Sequence, residues 1–271
     1  MGAPVDPARP AELEALLRRH RVTLRHRLGQ NFLVDPALRD AIAHAAGAGA
    51  YDGVLEIGAG VGTLTIALAA RAGRVVAVEF DRNLIPALRE VVAGLDNVEV
   101  VQADILRYEG RAEIVAGNVP YNLTGALIPK FLDREPRPRR MSLVVQKEVA
   151  ERWTATTMAS LATVAVQVFA EPRMVMTIPA QAFTPPPRVD SALVVLEVRT
   201  RPAVEVDDVG GFLRFVESVF QFRRKQLGGT LARLGGTPGV DLGVDPTRRP
   251  QTLTLAEWEG VYRAFNSGLD R

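Results

Sequence analysis

Short runs rich in Val, Ile and Leu recur along the first two thirds of the chain, separated by stretches whose apolar residues fall three and four positions apart. The runs predict strands at 52–57, 74–79, 98–103, 113–117, 141–146, 162–169 and 191–198. The intervening stretches predict helices at about 36–46, 63–71, 82–93, 123–132 and 146–155. Strands and helices alternating at this length argue for an α/β fold built on a mostly parallel, doubly wound sheet. Ser191–Val198 follows Pro185-Pro186-Pro187 with no helix before it, so it is expected to run antiparallel to the strand preceding it. After Arg199 the alternation stops. Residues 208–221, 223–234 and 254–266 read as helices with Gly/Pro-rich joints at 235–250. The expected organisation is one domain at 1–200, its first 26 residues an extension, and a small all-α domain at 201–271.

Composition narrows the function classes. A chain of 271 residues, 47% of them hydrophobic, suffices for one large core and one small one. No apolar stretch approaches the roughly 20 residues of a membrane span, and residues 1–30 mix six arginines with apolar positions rather than forming a secretion signal. A cytoplasmic protein without membrane partners is expected. The absence of cysteine excludes disulfides and cysteine–zinc sites. His20, His26 and His44 stand apart from any carboxylate cluster, so no metal is expected. The net charge of +2 is unevenly placed: residues 52–113 hold ten acids and six bases, whereas 214–249 hold seven bases and three acids. Residues 134–152 hold six bases and three acids. Clustered bases favour a polyanionic partner whatever the net charge.

The strongest local signal lies between a predicted strand and a predicted helix, at Leu55-Glu56-Ile57-Gly58-Ala59-Gly60-Val61-Gly62-Thr63. Glycines there permit a tight turn and close approach of a ligand to the backbone. A dinucleotide site would carry a third Gly at position 63, where this chain has Thr63. The pattern is instead Glu-x-Gly-x-Gly-x-Gly, the form found in methyltransferases that use S-adenosylmethionine, a ligand with no pyrophosphate to neutralise. Two further strand ends bring acids. Glu79 is suited to accept the ribose hydroxyls of an adenosine, and Asp104 to accept from its adenine amino group. In a doubly wound sheet these ends converge on one crevice, which makes Gly58, Gly60, Glu79 and Asp104 cofactor candidates.

The fourth strand runs into Asn118-Val119-Pro120-Tyr121. The exocyclic nitrogen of adenine is a weak nucleophile because its lone pair is delocalised into the ring. Two acceptors that take its N–H bonds favour a pyramidal nitrogen and aim the lone pair outward. The Asn118 side-chain oxygen and a backbone carbonyl of the Val119–Pro120 segment are suited to this, the carbonyl being held rigidly by the proline. Tyr121 offers a face on which the base can stack.

These residues resemble the ribosomal RNA adenine dimethyltransferases. Arg27-Leu28-Gly29-Gln30-Asn31-Phe32-Leu33 is similar to the N-terminal motif of that family, as are Val145–Arg152 and Phe183-Thr184-Pro185-Pro186-Pro187-Arg188-Val189-Asp190-Ser191. The resemblance spans about residues 24–265 and implies a Rossmann-like class I methyltransferase fold. It implies that Asn31, Leu33, Gly58, Glu79, Asp104 and Asn118 hold S-adenosylmethionine, and that Phe183 closes over the target base opposite Tyr121. Phe220–Leu227, with Arg223, Arg224 and Lys225, and the tail Arg249–Leu255 resemble the small-subunit branch of the family. The implied target is two adjacent adenosines in the 3′-terminal hairpin of 16S rRNA, within a maturing small ribosomal subunit. The three cations would contact phosphates beside it, and a monomer is expected. Alternatives are a large-subunit (23S) adenine methylase of the macrolide-resistance type and a non-enzymatic ribosome-assembly factor. Two departures from the family pattern stand out: Gly228-Gly229 replaces an Arg-Asn type of pair, and Thr154–Thr163 is short and lacks a Tyr-Gly pair.

Overall fold

The structure, a computed structural model, describes residues 5–24, 29–237 and 241–269. Arg27 and Leu28 of the N-terminal motif, and His26, lie outside the described residues. The chain divides into two compact units, Met1–Ala150 with Arg173–Val198, and Glu151–Pro172 with Arg199–Arg271. The sequence placed residues 151–172 in the first domain, whereas they group with the C-terminal helices.

The first unit is built on strands β2 (Gly53–Ile57), β3 (Arg74–Glu79), β4 (Val98–Gln102), β5 (Ile114–Asn118) and β6 (Arg140–Gln146), all paired in parallel. Strand β9 (Ser191–Val198) closes on β6 in antiparallel register, from Arg140↔Glu197 to Gln146↔Ser191. With β7 (Ala170–Ile178) the seven strands stand in the order β4-β3-β2-β5-β6-β9-β7. A separate two-stranded ribbon pairs β1 (Phe32–Leu33) with β8 (Phe183–Thr184), joining two segments about 150 residues apart in sequence.

Helices α2 (Pro36–Ala45), α3 (Thr63–Ala69), α4 (Ile85–Val92) and α5 (Thr124–Leu132) follow the predicted positions, and α1 (Pro10–Arg19) precedes them. Two apolar clusters hold these layers. One gathers Ile42, Leu64, Leu68, Val75 and Leu193, and the other packs Leu13 and Leu16 of α1 against Leu84, Leu88 and Val91. Burial of β2 and β5 on nearly every residue explains their continuous apolar runs. Chain order reverses between β2 and β5: β3 and β4 lie on one side of β2, and β5 returns on the other. The carboxyl ends of strands open a crevice at such a switch point.

One predicted strand is a helix. Residues 162–169 belong to α7 (Leu161–Phe169), whose N-cap Ser160 accepts the Thr163 N–H at 3.2 Å. The run Val164–Val168 is rich in valine with one polar residue, Gln167, and most of this helix is buried, so it carries no polar stripe wide enough to betray its period. The edge strand follows it as β7, which neighbours β9 in the sheet, and on its other side β9 runs antiparallel to β6.

In the second unit α6 (Lys147–Thr154) enters from the sheet, and α8 (Val209–Phe220), α9 (Leu227–Arg233) and α10 (Leu255–Leu269) complete the helices with α7. Its core is aromatic: Phe215 packs edge-on to Trp258 at 6.3 Å and against Phe265 at 5.0 Å, and Trp258 is fully buried. No helix among the described residues is long and apolar enough to cross a membrane.

Candidate active site

The crevice at the switch point is a cavity of about 310 Å³. Asn31, Leu33, Gly58, Gly60, Glu79, Asp104, Asn118, Pro120 and Phe183 all line it. Every cofactor candidate from the sequence, and three of the four acceptor-side candidates, thus line one cavity.

The glycine turn has left-handed φ at Gly58 (+66°), Gly60 (+61°) and Gly62 (+93°), values that side chains rarely tolerate. A Cβ on Gly60 would also stand 3.3 Å from the Phe32 ring. Four amides of this turn are already used inside the protein. Gly58 and Ala59 donate to the Val78 carbonyl at 2.9 and 3.1 Å, and Gly62 donates to the Ala59 carbonyl at 2.9 Å. Gly60 donates to Glu79 Oε2 at 2.8 Å. A phosphate cradle needs such N–H groups free. Their engagement suits a ligand without phosphate.

Glu79 is buried with its carboxylate fixed by two backbone donors, Gly60 on Oε2 and Asp81 on Oε1 at 2.7 Å. Burial raises its pKa, and the Asp81 and Gly60 N–H groups oppose the rise. Each carboxylate oxygen keeps a second lone pair for a ligand hydroxyl. Asp104 lies two residues beyond β4, with Oδ1 accepting the Leu106 N–H at 3.0 Å.

Glu56 escaped the list of candidates, although it stands in the glycine motif. It is a carboxylate inside an apolar strand, only 2% exposed, and it lines the cavity. Among the described residues its Oε2 and the Thr63 hydroxyl have no hydrogen-bond partner. Burial drives its pKa up to about 8, the nearby Thr65 hydroxyl opposes this, and the charge of Glu79 adds to it. The signal in the sequence was an acid in a strand buried on both faces, where a paired or functional charge is the rule. Phe80 was missed too. It follows Glu79, lines the cavity, and is 59% exposed, an unusual position for an aromatic ring.

On the acceptor side, Asn118 ends β5 and its Nδ2 donates to the Asn31 carbonyl at 2.9 Å. That carbonyl requires a donor, which fixes the amide orientation and leaves Oδ1 as the outward acceptor. The Pro120 carbonyl already accepts the Leu123 N–H at 2.9 Å. The Val119 carbonyl has no partner among the described residues, so it is the second free acceptor of the motif. Gly117 is required one step earlier, because a Cβ there would meet the Ile57 carbonyl at 2.5 Å.

The two aromatic candidates differ. Phe183 is buried, part of the core and of the cavity wall, with its backbone paired to Leu33. Tyr121 stands beside the cavity rather than in its wall, with its hydroxyl 2.7 Å from Ser191 Oγ. Neither ring stacks on another aromatic among the described residues.

In the second unit, Arg223, Arg224 and Lys225 are exposed on the turn between α8 and α9, not on the helix expected at 223–234. Backbone bonds from Arg223 to Phe220 and from Lys225 to Phe222 form that turn, and the helix starts only after Gln226. None of the three has an ion-pair partner among the described residues. By contrast, Arg137, Arg139 and Arg140 pair with Glu135, Asp52 and Glu197.

Fold and cavity place the chain among the Rossmann-like class I methyltransferases. The family model for ribosomal RNA adenine dimethylase matches residues 21–249, and the chain belongs to that family. The Ribosomal RNA small subunit methyltransferase A of Pelotomaculum thermopropionicum is 40% identical, over 95% of this chain and 97% of that protein. The protein of the same name from Moorella thermoacetica is 38% identical, over 95% and 98%. Among solved structures, the 23S rRNA methyltransferase ErmE superposes with a TM-score of 0.72 at 30% identity, over 87% of this chain and 100% of that one. A dimethyladenosine transferase from Plasmodium falciparum, at 24% identity and a TM-score of 0.70, shares the fold over 86% of this chain and 97% of its own.

Proposed function

We propose that this protein transfers methyl groups from S-adenosyl-L-methionine to N6 of two adjacent adenosines in the 3′-terminal hairpin of 16S rRNA. It does so as a cytoplasmic monomer acting on a maturing small ribosomal subunit. The observation that carries the chemistry is the pair of acceptors without a partner among the described residues: Asn118 Oδ1, on a residue lining the same cavity as Glu79 and Asp104, and the carbonyl of the adjoining Val119. The small-subunit target is supported by relatives of that name at 34–40% identity over about 95% of the chain.

The residues fit the cofactor. The glycine turn offers space with four of its amides already engaged, Glu79 and Asp104 offer acceptors for an adenosine, and Glu56 offers a buried oxygen without a partner among the described residues. Bound there, S-adenosylmethionine supplies an electrophilic methyl group on a sulfonium centre. The chain's own part is positional. Asn118 and Val119 hold the two N–H bonds of the target amine, so that its lone pair points into the cavity. Tyr121 and Phe183 hold the base by its faces. Pro120 keeps the Val119 carbonyl in place. No general base is needed, because the methylated nitrogen is cationic and releases its proton to water. Rate enhancement then comes mainly from alignment. Arg223, Arg224 and Lys225 supply phosphate contacts with the RNA.

The test is transfer of tritiated methyl groups to undermethylated small subunits, large subunits and naked ribosomal RNA, compared side by side. Label in small subunits, as dimethyladenosine, is expected. Label confined to large subunits or their RNA would favour the macrolide-resistance type of activity instead, the reading that the likeness to ErmE makes specific.

A further inference from the structure

Ser191 is a fully buried residue at the first position of β9, opposite Gln146 of β6. Its side chain lies outside the cavity wall and touches none of the cofactor candidates through a hydrogen bond. Its Oγ is instead 2.7 Å from the Tyr121 hydroxyl, an ordinary distance for an O–H···O bond. The two residues are 70 positions apart, and the bond joins the rigid sheet to the short turn that follows β5. Tyr121 itself is half-buried and has no ring partner among the described residues. A tyrosine ring on such a turn would otherwise rotate about two side-chain bonds.

We propose that Ser191 is a positioning residue for methyl transfer: its hydroxyl ties the Tyr121 ring to the sheet and sets the plane on which the acceptor base stacks. The proposal rests on the stacking role given to Tyr121 above. It explains why the stacking ring carries a hydroxyl, which stacking alone does not require. Asp190, the neighbour of Ser191, is itself fixed by accepting the Ala180 N–H at 3.0 Å, and its carbonyl accepts the Lys147 N–H at 3.0 Å, so the anchoring end has little freedom. Burial also keeps the Tyr121 phenol protonated, its pKa raised above the usual value, so the tie persists across the working pH range.

A double-mutant cycle tests this. Ser191→Ala and Tyr121→Phe remove the same bond from opposite ends. Each should slow single-turnover methyl transfer to undermethylated small subunits by about fivefold, the scale of one net hydrogen bond. The double variant should be no slower than either single one. Affinity for S-adenosylmethionine should be unchanged in all three, which a general loss of structure would not allow. Tyr121→Phe acts from the half-buried end, so the measurement stands even if Ser191→Ala folds poorly. Additive losses in the double variant, or wild-type rates for both single variants alongside a slow Tyr121→Ala, would overturn the tie while leaving the stacking role intact. Wild-type rates for Tyr121→Ala would overturn the stacking role, and the tie with it.

Discussion

Replacing Glu56 by Gln should change how the stability of this protein depends on pH. In the unfolded chain this carboxyl titrates at 4.5, and in the native cavity at about 8, chiefly because it is buried. Between those values the native state keeps a proton that the unfolded state releases. Stability therefore falls as pH rises through that window, and is flat outside it. One pH unit corresponds to about 1.4 kcal/mol, so between pH 5 and 7.5 the wild type should lose on the order of 3 kcal/mol through this one group. Gln has the same shape and no proton to lose, and the Thr65 hydroxyl that faces Glu56 can serve its amide. Denaturant unfolding of both proteins at half-unit steps from pH 5 to 9 gives the difference, in which all other titrations cancel. The variant should gain about 3 kcal/mol relative to wild type by pH 7.5, then level off above pH 8. Parallel curves would refute the reasoning. A cationic ligand in the cavity favours the ionised carboxylate, so binding of S-adenosylmethionine at pH 7 should release a proton from wild type and none from the variant.

Glu79→Ala removes an acceptor already pinned by Gly60 and Asp81, and should weaken S-adenosylmethionine binding by about 1.5–3 kcal/mol for each charge-assisted bond lost. Calorimetry that finds tight NADH binding and no S-adenosylmethionine binding would contradict the assignment of the cavity. Changing Arg223, Arg224 and Lys225 together to Ala should leave cofactor affinity intact and reduce the salt slope of RNA binding by two to three units, at about 0.7–0.9 per phosphate contact. An unchanged slope would show that the three cations make no phosphate contacts. Gly229→Ala should stabilise α9 by about 0.5–1 kcal/mol, since nothing lies within 4 Å of the added methyl group. Gly228→Ala should not stabilise it, because its Cβ would come 2.9 Å from Pro246; thermal unfolding of the two variants separates the cases.

The sheet and its cofactor crevice were legible because their signals are local. A strand ending in Glu79, a glycine turn at 58–62 and a strand ending in Asn118 each announce themselves within a few residues. The parallel topology then brings them together without further information. What stayed hidden depended on distant partners. The ribbon between Phe32–Leu33 and Phe183–Thr184 is two residues wide, too short for any periodicity. Helix α7 was read as a strand because burial removes the polar stripe on which the distinction rests. The role of Ser191 is visible only once β9 lies against β6 and Tyr121 turns toward it. Gly228 makes the same point, since its tight approach to Pro246 comes from a residue in the following joint. Gly229 has no comparable neighbour, and nothing in the structure explains it.

The central claim is that Asn118 holds the target nitrogen as charge develops on it. Its Nδ2 is committed to the Asn31 carbonyl, and its Oδ1 is the group that remains. Loss of an interaction that strengthens in the transition state lowers turnover more than it weakens binding. Removing one preorganised polar group from a reacting centre costs about 10²–10³ in rate. Single-turnover methyl transfer by Asn118→Ala, at saturating S-adenosylmethionine and saturating undermethylated small subunits, isolates that step. The account predicts a rate about 10²–10³ lower than wild type with nearly unchanged RNA affinity. A near-normal single-turnover rate would contradict it.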